Sequence, residues 1–312
     1  MNLQQLRYAS EVARRNLSVS DAAAALHTSQ PGVSKQIRSR EQELGALIFV
    51  RQGRRLTAIT EAGAEILRSV ERILGDIGNM RRIGAEYAGQ SKGHLAVAVT
   101  HTQARYSIPP AVTAFKKRFP QVKLKLLQGN PQQLARMVID GEADLAIATE
   151  ALSDYAELTS VPCFQWHHGV VVPARHPLAK AHPLTLEAIA SYPIVTYDRT
   201  FTGRTSVDAT FAKRSLSPDI VMTALDSDVI KSYVSLGLGV GIIAAFAFDR
   251  AKDTGLKLLD ASHLFPAQTT RLAFRKGSYL RGYTVEFARL FAPHLAAGAM
   301  KQLQEASESF SI

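Results

Sequence analysis

Gln30, Ser34 and Arg38 recur every four residues, with Lys35 beside them. On a helix that spacing sets all four on one face. None of the four is suited to breaking bonds. Gln pairs bidentately with adenine, Arg and Lys reach guanine or phosphate, and Ser bonds either. Contact of Lys35 and Arg38 with phosphate or solvent alone is the competing reading, because most protein–DNA hydrogen bonds go to phosphate and sugar. Thr28 and Ser29 precede this face, where a hydroxyl caps a helix, contacts a phosphate, or does both. Pro31 is tolerated in a first turn. Arg51, Arg54 and Arg55 flank the run RQGRR, which reads as a hairpin tip that would carry the three arginines as a wing for phosphate or minor-groove contact.

A second set of polar residues lies far along the chain. Thr100, Thr102 and Gln103 directly follow the apolar run Leu95–Val99, and Thr149 follows Leu145–Ala148. In open α/β sheets ligands sit at the carboxyl ends of strands, so both loops can face one cleft. Thr202 and Gly203 precede a helical stretch whose free N–H groups favour an anion. Hydroxyls, an amide and a helix N-terminus make a neutral donor cage, suited to sulfate or to a small carboxylate. Capping of helices and ending of strands is the alternative role for the same threonines. Glu150 can bond a ligand amide or a local Arg. Gln128 is a further cleft candidate, and Arg204 is either a cleft cation or exposed.

Other features carry less. GLGVG at Gly237–Gly241 lies after a helix and before a strand, the reverse of the dinucleotide-binding order, and reads as a tight turn. His167 and His168 on a strand point to opposite faces. No metal-ligand spacing is present, so no metal and no cofactor beyond the effector is expected. Cys163 reads as a buried apolar residue, and Asp226 with Asp228 as a helix start. Without a GxSxG elbow or a convergent acid–base set, no enzyme is expected.

These residues need elements to hold them. Leu3–Arg15 reads as a first helix with Leu6 and Val12 inward. A second follows, capped by Ser18 or Ser20 and packing Ala22, Ala23 and Leu26. After a turn at His27 and Thr28, a third presents Val33, Ile37 and Leu44 inward. Together with the hairpin this is a winged helix-turn-helix over residues 1–59, all-α apart from its wing. Residues 60–89 read as one linker helix opening at Thr60. Its apolar positions Ile66, Val70, Ile73, Ile77, Met80 and Tyr87 form a heptad seam with Gly84 in the gap, which suits a dimer. Packing against another part of the chain is the alternative.

Residues 90–312 alternate strand and helix. Strands are expected at Leu95–Val99, Val122–Leu127, Leu145–Ala148, Gly169–Val172, Ile194–Tyr197, Ile220–Ala224, Val240–Ile243 and Arg271–Phe274. Helices include Ile108–Phe119, Pro131–Asp140 and Ser227–Leu236. This alternation argues for parallel sheets in a two-lobed α/β domain, lobe I at about 90–162 and 266–312 and lobe II at about 163–265. With 46% hydrophobic residues among 312, the chain can bury several cores. The net charge of +10 fits a polyanionic partner as well as a solvated basic surface. One cysteine excludes an internal disulfide. With no signal-peptide core and no apolar run near the roughly 20 residues of a membrane span, a cytoplasmic protein with no membrane partner is expected.

The pattern AxxLHxSQPxxSxxIxxxExxLGxxxFxR, filled from Ala23 to Arg51, resembles the LysR-type transcriptional regulators. THTQARY at Thr100–Tyr106, GEADLAIATEAL at Gly141–Leu152, FTGR at Phe201–Arg204 and DSDVIKSYVSLGLGVGIIA at Asp226–Ala244 are similar to the cysteine-regulon activator branch of that family. The resemblance implies a linker-helix dimer, usually within a tetramer, and an effector domain like a periplasmic binding protein. It implies promoter DNA as partner, with RNA polymerase as a further one. The effector would be acetylserine, sulfate, thiosulfate or adenylyl sulfate, and the regulon cysteine biosynthesis and sulfur assimilation, or sulfonate and organosulfur use. A solute-binding protein for sulfate-like anions is the alternative of another class; the helix-turn-helix and the absent signal peptide count against it. One departure stands out. Arg40 occupies a position where the family usually has a buried Leu, and either snorkels outward or adds a phosphate contact.

Overall fold

The computed structural model describes residues 2–53, 55–87, 93–181 and 183–293. The chain divides into two units, Met1–Ala88 and Gly89–Ile312.

The first unit opens with α1 (Leu3–Arg14), α2 (Val19–Ala25) and α3 (Gln30–Leu44). Asn2 and Gln5 form a capping box at α1, and Ser18 rather than Ser20 caps α2, its Oγ accepting from the Asp21 amide at 3.2 Å. His27 takes the left-handed backbone (φ 48°) that turns the chain into α3. Val12, Ala22, Ala23, Val33 and Ile37 then share one core with Ile48, Phe49 and Leu56 of the wing. Leu44, expected inward, is instead 42% exposed. It sits on the last turn, just before the left-handed Gly45, beyond the elements that cover Val33 and Ile37.

Arg40 does neither thing expected of it. Its side chain is 1% exposed, and its guanidinium donates to Glu43 and to Gln5, fastening α3 to α1 from inside. A buried guanidinium is tolerable only when paired in this way.

The wing is the antiparallel pair β1 (Phe49–Gln52) and β2 (Arg55–Ile59). The long helix α4 (Glu61–Tyr87) follows. Thr60 caps it, its Oγ1 accepting from the Gly63 amide at 2.8 Å. Gly63 is required by contact: a Cβ there would lie 2.0 Å from the Ile48 carbonyl oxygen. Ile66 and Leu67 belong to the helix-turn-helix core, and Glu71 receives Ser10 and Arg14 from α1. Further along the seam the cover is partial: Ile73 is 37% and Met80 71% exposed, with Ile77 half-buried between them.

The second unit contains two mixed sheets. Its strands are β3 (Gly93–Val99), β4 (Val122–Gln128), β5 (Leu145–Ala148), β6 (Leu158–Trp166), β7 (His168–Pro173), β8 (Ile194–Tyr197), β9 (Ile220–Ala224), β10 (Val240–Ala244), β11 (Leu256–Asp260) and β12 (Gln268–Arg275). Its α-helices are α5 (His101–Tyr106), α6 (Pro109–Arg118), α7 (Pro131–Ile139), α8 (Leu186–Ala190), α9 (Thr202–Lys213), α10 (Ser227–Ser235) and α11 (Gly282–Phe291). Lobe I is ordered β4-β3-β5-β12-β6 and lobe II β11-β7-β10-β8-β9.

The sheets are mixed rather than purely parallel. β3, β4 and β5 are parallel, as are β8, β9 and β10, but β12 and β6 in one sheet and β7 and β11 in the other form antiparallel pairs. The cause is the double crossing between lobes. The chain leaves lobe I on β6 and returns on β12, and these two strands pair from Trp166↔Gln268 to Leu158↔Arg275. Neither β6 nor β11 was expected, and β6 carries lobe I through Trp166, so the first crossing falls at His167 rather than at 162–163. Separate cores back each sheet, around Phe115, Phe274 and Phe287 in lobe I and Phe211 and Phe265 in lobe II. Among the described residues no helix is long and apolar enough to cross a membrane.

Candidate functional site

In the first unit the expected recognition face is laid out on α3. Ser29 is the N-cap, its Oγ accepting from the Gly32 amide at 3.2 Å, and Pro31 stands in the first turn. Gln30, Pro31, Lys35 and Arg38 are exposed, and Thr28 and Ser34 half-buried. Among the described residues no intrachain hydrogen bond or ion pair ties down Gln30, Ser34, Lys35 or Arg38. They are free to meet an outside partner.

The wing is held to this helix by one buried carboxylate. Oε1 of Glu41 accepts from the amides of Ile48 and Phe49 at 3.0 and 3.1 Å, and Oε2 lies 2.8 Å from Arg51 Nη2. Arg51 is therefore not a tip residue. It lies in β1 with its guanidinium paired to the buried Glu41, its own side chain 24% and that of Glu41 4% exposed. Arg55 opens β2 and is exposed, and Arg54 lies outside the described residues.

In the second unit the carboxyl ends of β3, β4 and β5 form one edge. Val99 pairs with Gln128 on one side and Ile147 on the other, so Gln128, Thr100 and Thr149 lie at the ends of three neighbouring strands, each staggered by one residue from the last. Thr100 is buried at the N-cap of α5, without a side-chain cap bond, and its amide donates to the Ile147 carbonyl. Thr149 is half-buried and precedes a short 3-10 turn that begins at Glu150; Gln128 is exposed. Gln103 is 2% exposed and bonds Thr270 of β12 at 2.7 Å. Its Oε1 is buried without a hydrogen-bond partner, and rotation of the amide would let the Thr270 hydroxyl donate to Oε1.

Lobe II meets this edge through a hydroxyl relay. Thr102 Oγ1 is 3.3 Å from Ser227 Oγ, which is 2.6 Å from Tyr197 Oη; that phenol accepts from the Ala244 amide at 3.0 Å. Burial pushes the Tyr197 hydroxyl pKa up, so it acts as a neutral bonding group. Tyr197 ends β8, and a short turn leads from it to Thr202, the first residue of α9. The side chains of Glu150 and Thr202 lie outside the description. Arg204 is neither a cleft cation nor exposed. It is 3% exposed, with Nε 2.6 Å from Asp208 and Nη1 2.9 Å from the Tyr197 carbonyl. Its charge is cancelled one helical turn away, which keeps the site's donors neutral.

Under α9 lies His168, 1% exposed and in edge-to-face contact with Trp166 and Phe265. A Cβ on Gly203 would lie 3.0 Å from its Nε2. Burial, aided by His167, pulls its pKa from 6.5 down to about 4. The Cys163 thiol is pushed up to about 12 by burial, which makes it unreactive.

Sequence reasoning missed Tyr197, Ser227 and the hinge pair Trp166 and His168. Ser227 lay within the DSDVIKS run, but its hydroxyl had no local sign of pairing with Thr102.

Two family descriptions match this chain. Residues 3–64 match the bacterial regulatory helix-turn-helix protein, lysR family, and residues 88–296 match the LysR substrate binding domain. The chain is 53% identical to the HTH-type transcriptional regulator CysB of Burkholderia cenocepacia, over 100% of both chains. It is 52% identical to the HTH-type transcriptional regulator SsuR of the same organism, covering 95% of this chain and 96% of that one. The crystal structure of the cofactor-binding domain of the Cbl transcriptional regulator superposes with a TM-score of 0.65 at 44% identity, covering 69% of this chain and 94% of that one.

Proposed function

The chain belongs to the LysR family of transcriptional regulators, in its sulfur-regulon branch, and from that premise we propose that a small anion in the lobe cleft controls how the α3 face meets promoter DNA. The observation that carries the proposal is the shared edge of Thr100, Gln128 and Thr149, faced from lobe II through the Thr102–Ser227–Tyr197 relay. The candidate donors along that edge are neutral, and the nearby Arg204 charge is already paired. Such a cage binds the sulfate group of sulfate, thiosulfate or adenylyl sulfate, or the carboxylate of acetylserine. Gln103, Glu150 and Thr202 complete the set of effector contacts.

The effector shifts the regulator only by its difference in affinity between lobe arrangements. DNA is read by Gln30, Ser34, Lys35 and Arg38, with Thr28, Ser29 and Pro31 at the helix start and Arg54 and Arg55 on the wing. Self-association through residues 60–89 brings two recognition helices to one operator, and pairs of dimers give a tetramer.

Near-equal identity to the CysB and SsuR regulators keeps two regulons of one branch in view, cysteine biosynthesis and sulfonate or organosulfur use. A thermal-shift panel separates them, since ligand that binds the native state raises the melting temperature. The full chain is melted with sulfate, thiosulfate, adenylyl sulfate, O- and N-acetylserine, and a chloride control. A rise with acetylserine supports the cysteine regulon; a rise with sulfate or adenylyl sulfate alone supports sulfonate use. Thr100→Ala and Thr149→Ala should abolish the rise. No rise with any compound would sink the cleft assignment.

A further inference from the structure

The cleft is fastened on one side by contacts between α5 of lobe I and α10 of lobe II. Tyr106 Oη donates to Asp228 Oδ1 at 2.7 Å, and Lys231 Nζ donates to the same phenol oxygen at 2.8 Å. Arg105 Nε lies 3.0 Å from Asp228 Oδ2, and His101 Nδ1 lies 3.8 Å from Asp226 Oδ2. Lobe II holds its own half in place: Lys231 also donates to Asp253 and to the Ala247 carbonyl, each at 2.8 Å, and its side chain is only 5% exposed.

His101, Asp226 and Asp228 cluster closely enough to suggest a cation site. The Arg105 and Lys231 cations already neutralise Asp228, so the cluster is better explained as an ion-pair network.

Parting the lobes would leave the Lys231–Asp253 pair intact but strip Asp228 of Tyr106 and Arg105. Hydrogen bonds to charged groups are the strong ones, and the Tyr106–Asp228 bond is part-buried, so this contact resists opening. The chain crosses between the lobes at His167 and again between β11 and β12, and the α5–α10 contact joins them a third time, with the Tyr106 ring packed on the cluster of Trp166, Ala244 and Ala247 beside the first crossing. The helix that carries the contact is also the helix that begins at Thr100. Its last residue, Tyr106, is fixed to lobe II, while its first turn carries Thr102 and Gln103.

We propose that the Tyr106–Asp228–Lys231 contact is an interlobe latch that positions α5 in the cleft, so that residues touching no effector set the effector affinity. The affinity half of this proposal rests on the reading of Thr100–Gln103 as effector contacts. Tyr106 and Asp228 are positioning residues. Loss of either frees α5 and weakens the cleft without removing a donor from it.

The test uses the full chain with Tyr106→Phe and Asp228→Asn. Tyr106→Phe keeps the ring that packs beside Trp166 and Phe246 and removes only the hydroxyl. Hydrogen exchange of amides 101–108 is measured without ligand, with β3 and β10 as the check on folding. Sulfate affinity is measured by calorimetry against a chloride control. Both variants should exchange about tenfold faster over α5 and bind sulfate about tenfold more weakly, the scale of one hydrogen bond to a charged group. Core strands should keep their protection. If Asp228→Asn fails to fold, Tyr106→Phe alone decides. Unchanged exchange over α5 overturns the latch. Faster exchange with undiminished sulfate affinity overturns its role in binding. Failure of the unsubstituted chain to bind sulfate counts against the cleft reading instead, and the exchange result then decides the latch by itself.

Discussion

Arg51 Nη2 lies 2.8 Å from Oε2 of Glu41, a carboxylate 4% exposed whose other oxygen receives the amides of Ile48 and Phe49. One side chain on the recognition helix thus closes the start of the wing. Glu41→Ala would leave two buried amides and a guanidinium unpaired. Breaking a buried pair typically costs about 3 kcal/mol or more. The substitution should release the Ile48 and Phe49 amides to fast exchange and lower operator affinity at all sequences alike. Protection of those amides at the unsubstituted level would refute this account.

On α3, position separates reading from holding. Gln30 at the first turn faces outward without an intrachain partner, so Gln30→Ala should relax preference at a single operator position by about tenfold. Lys35→Ala should instead weaken all sequences uniformly and reduce the salt slope of log affinity by about one. Binding isotherms on a panel of single-base operator variants at several salt concentrations check both. The same base-position signature for both variants would mean that the helix docks in another orientation.

Much of this was legible in the amino-acid order. Leu145–Ala148, Ile194–Tyr197 and Ile220–Ala224 were found with their observed bounds because each is a short apolar run between turn residues. β6 stayed hidden because Pro162 interrupts it and its burial does not alternate, a pattern that a hinge strand pairing around a bulge can tolerate. The cleft edge was legible from strand ends. The relay was not, because Thr102 and Ser227 are 125 residues apart and only the fold joins them. Arg40 misled for a related reason: its acceptor Glu43 is one turn away on the same helix, but Gln5, which ties it to α1, is 35 residues away.

His168 gives a pH signature. Burial lowers its pKa from 6.5 to about 4, so the unfolded chain binds an extra proton between those values. Stability from this group is complete above pH 6.5, falls as pH drops through the window, and is gone below pH 4. The full amount is about 3 kcal/mol for a shift of this size. Melting temperature should therefore fall between pH 6.5 and 4.5, and His168→Leu should flatten that part of the profile whatever it does to stability at pH 7.5. Equal slopes in the two proteins would show that other groups control the acid limb.

The exposed stretch of the linker seam makes the last prediction. Ile66 and Val70 are covered within the first unit, whereas Ile73 is 37% and Met80 71% exposed on the same heptad stripe. A regular seam with exposed apolar positions on either side of the half-buried Ile77 is what a second copy of that helix would bury. Met80→Lys places a charge in that seam without disturbing the helix-turn-helix core, which ends at Leu67. The variant should dissociate at protein concentrations where the unsubstituted chain remains associated, as read by sedimentation velocity. Its affinity for a full operator should fall steeply, because joining two recognition helices makes the second contact intramolecular. Affinity for a half-site should be nearly unchanged, since the α3 face is intact. Unaltered sedimentation would show that the seam is covered by some other part of the chain, and equal losses on full and half operators would show that the substitution damages the recognition helix itself.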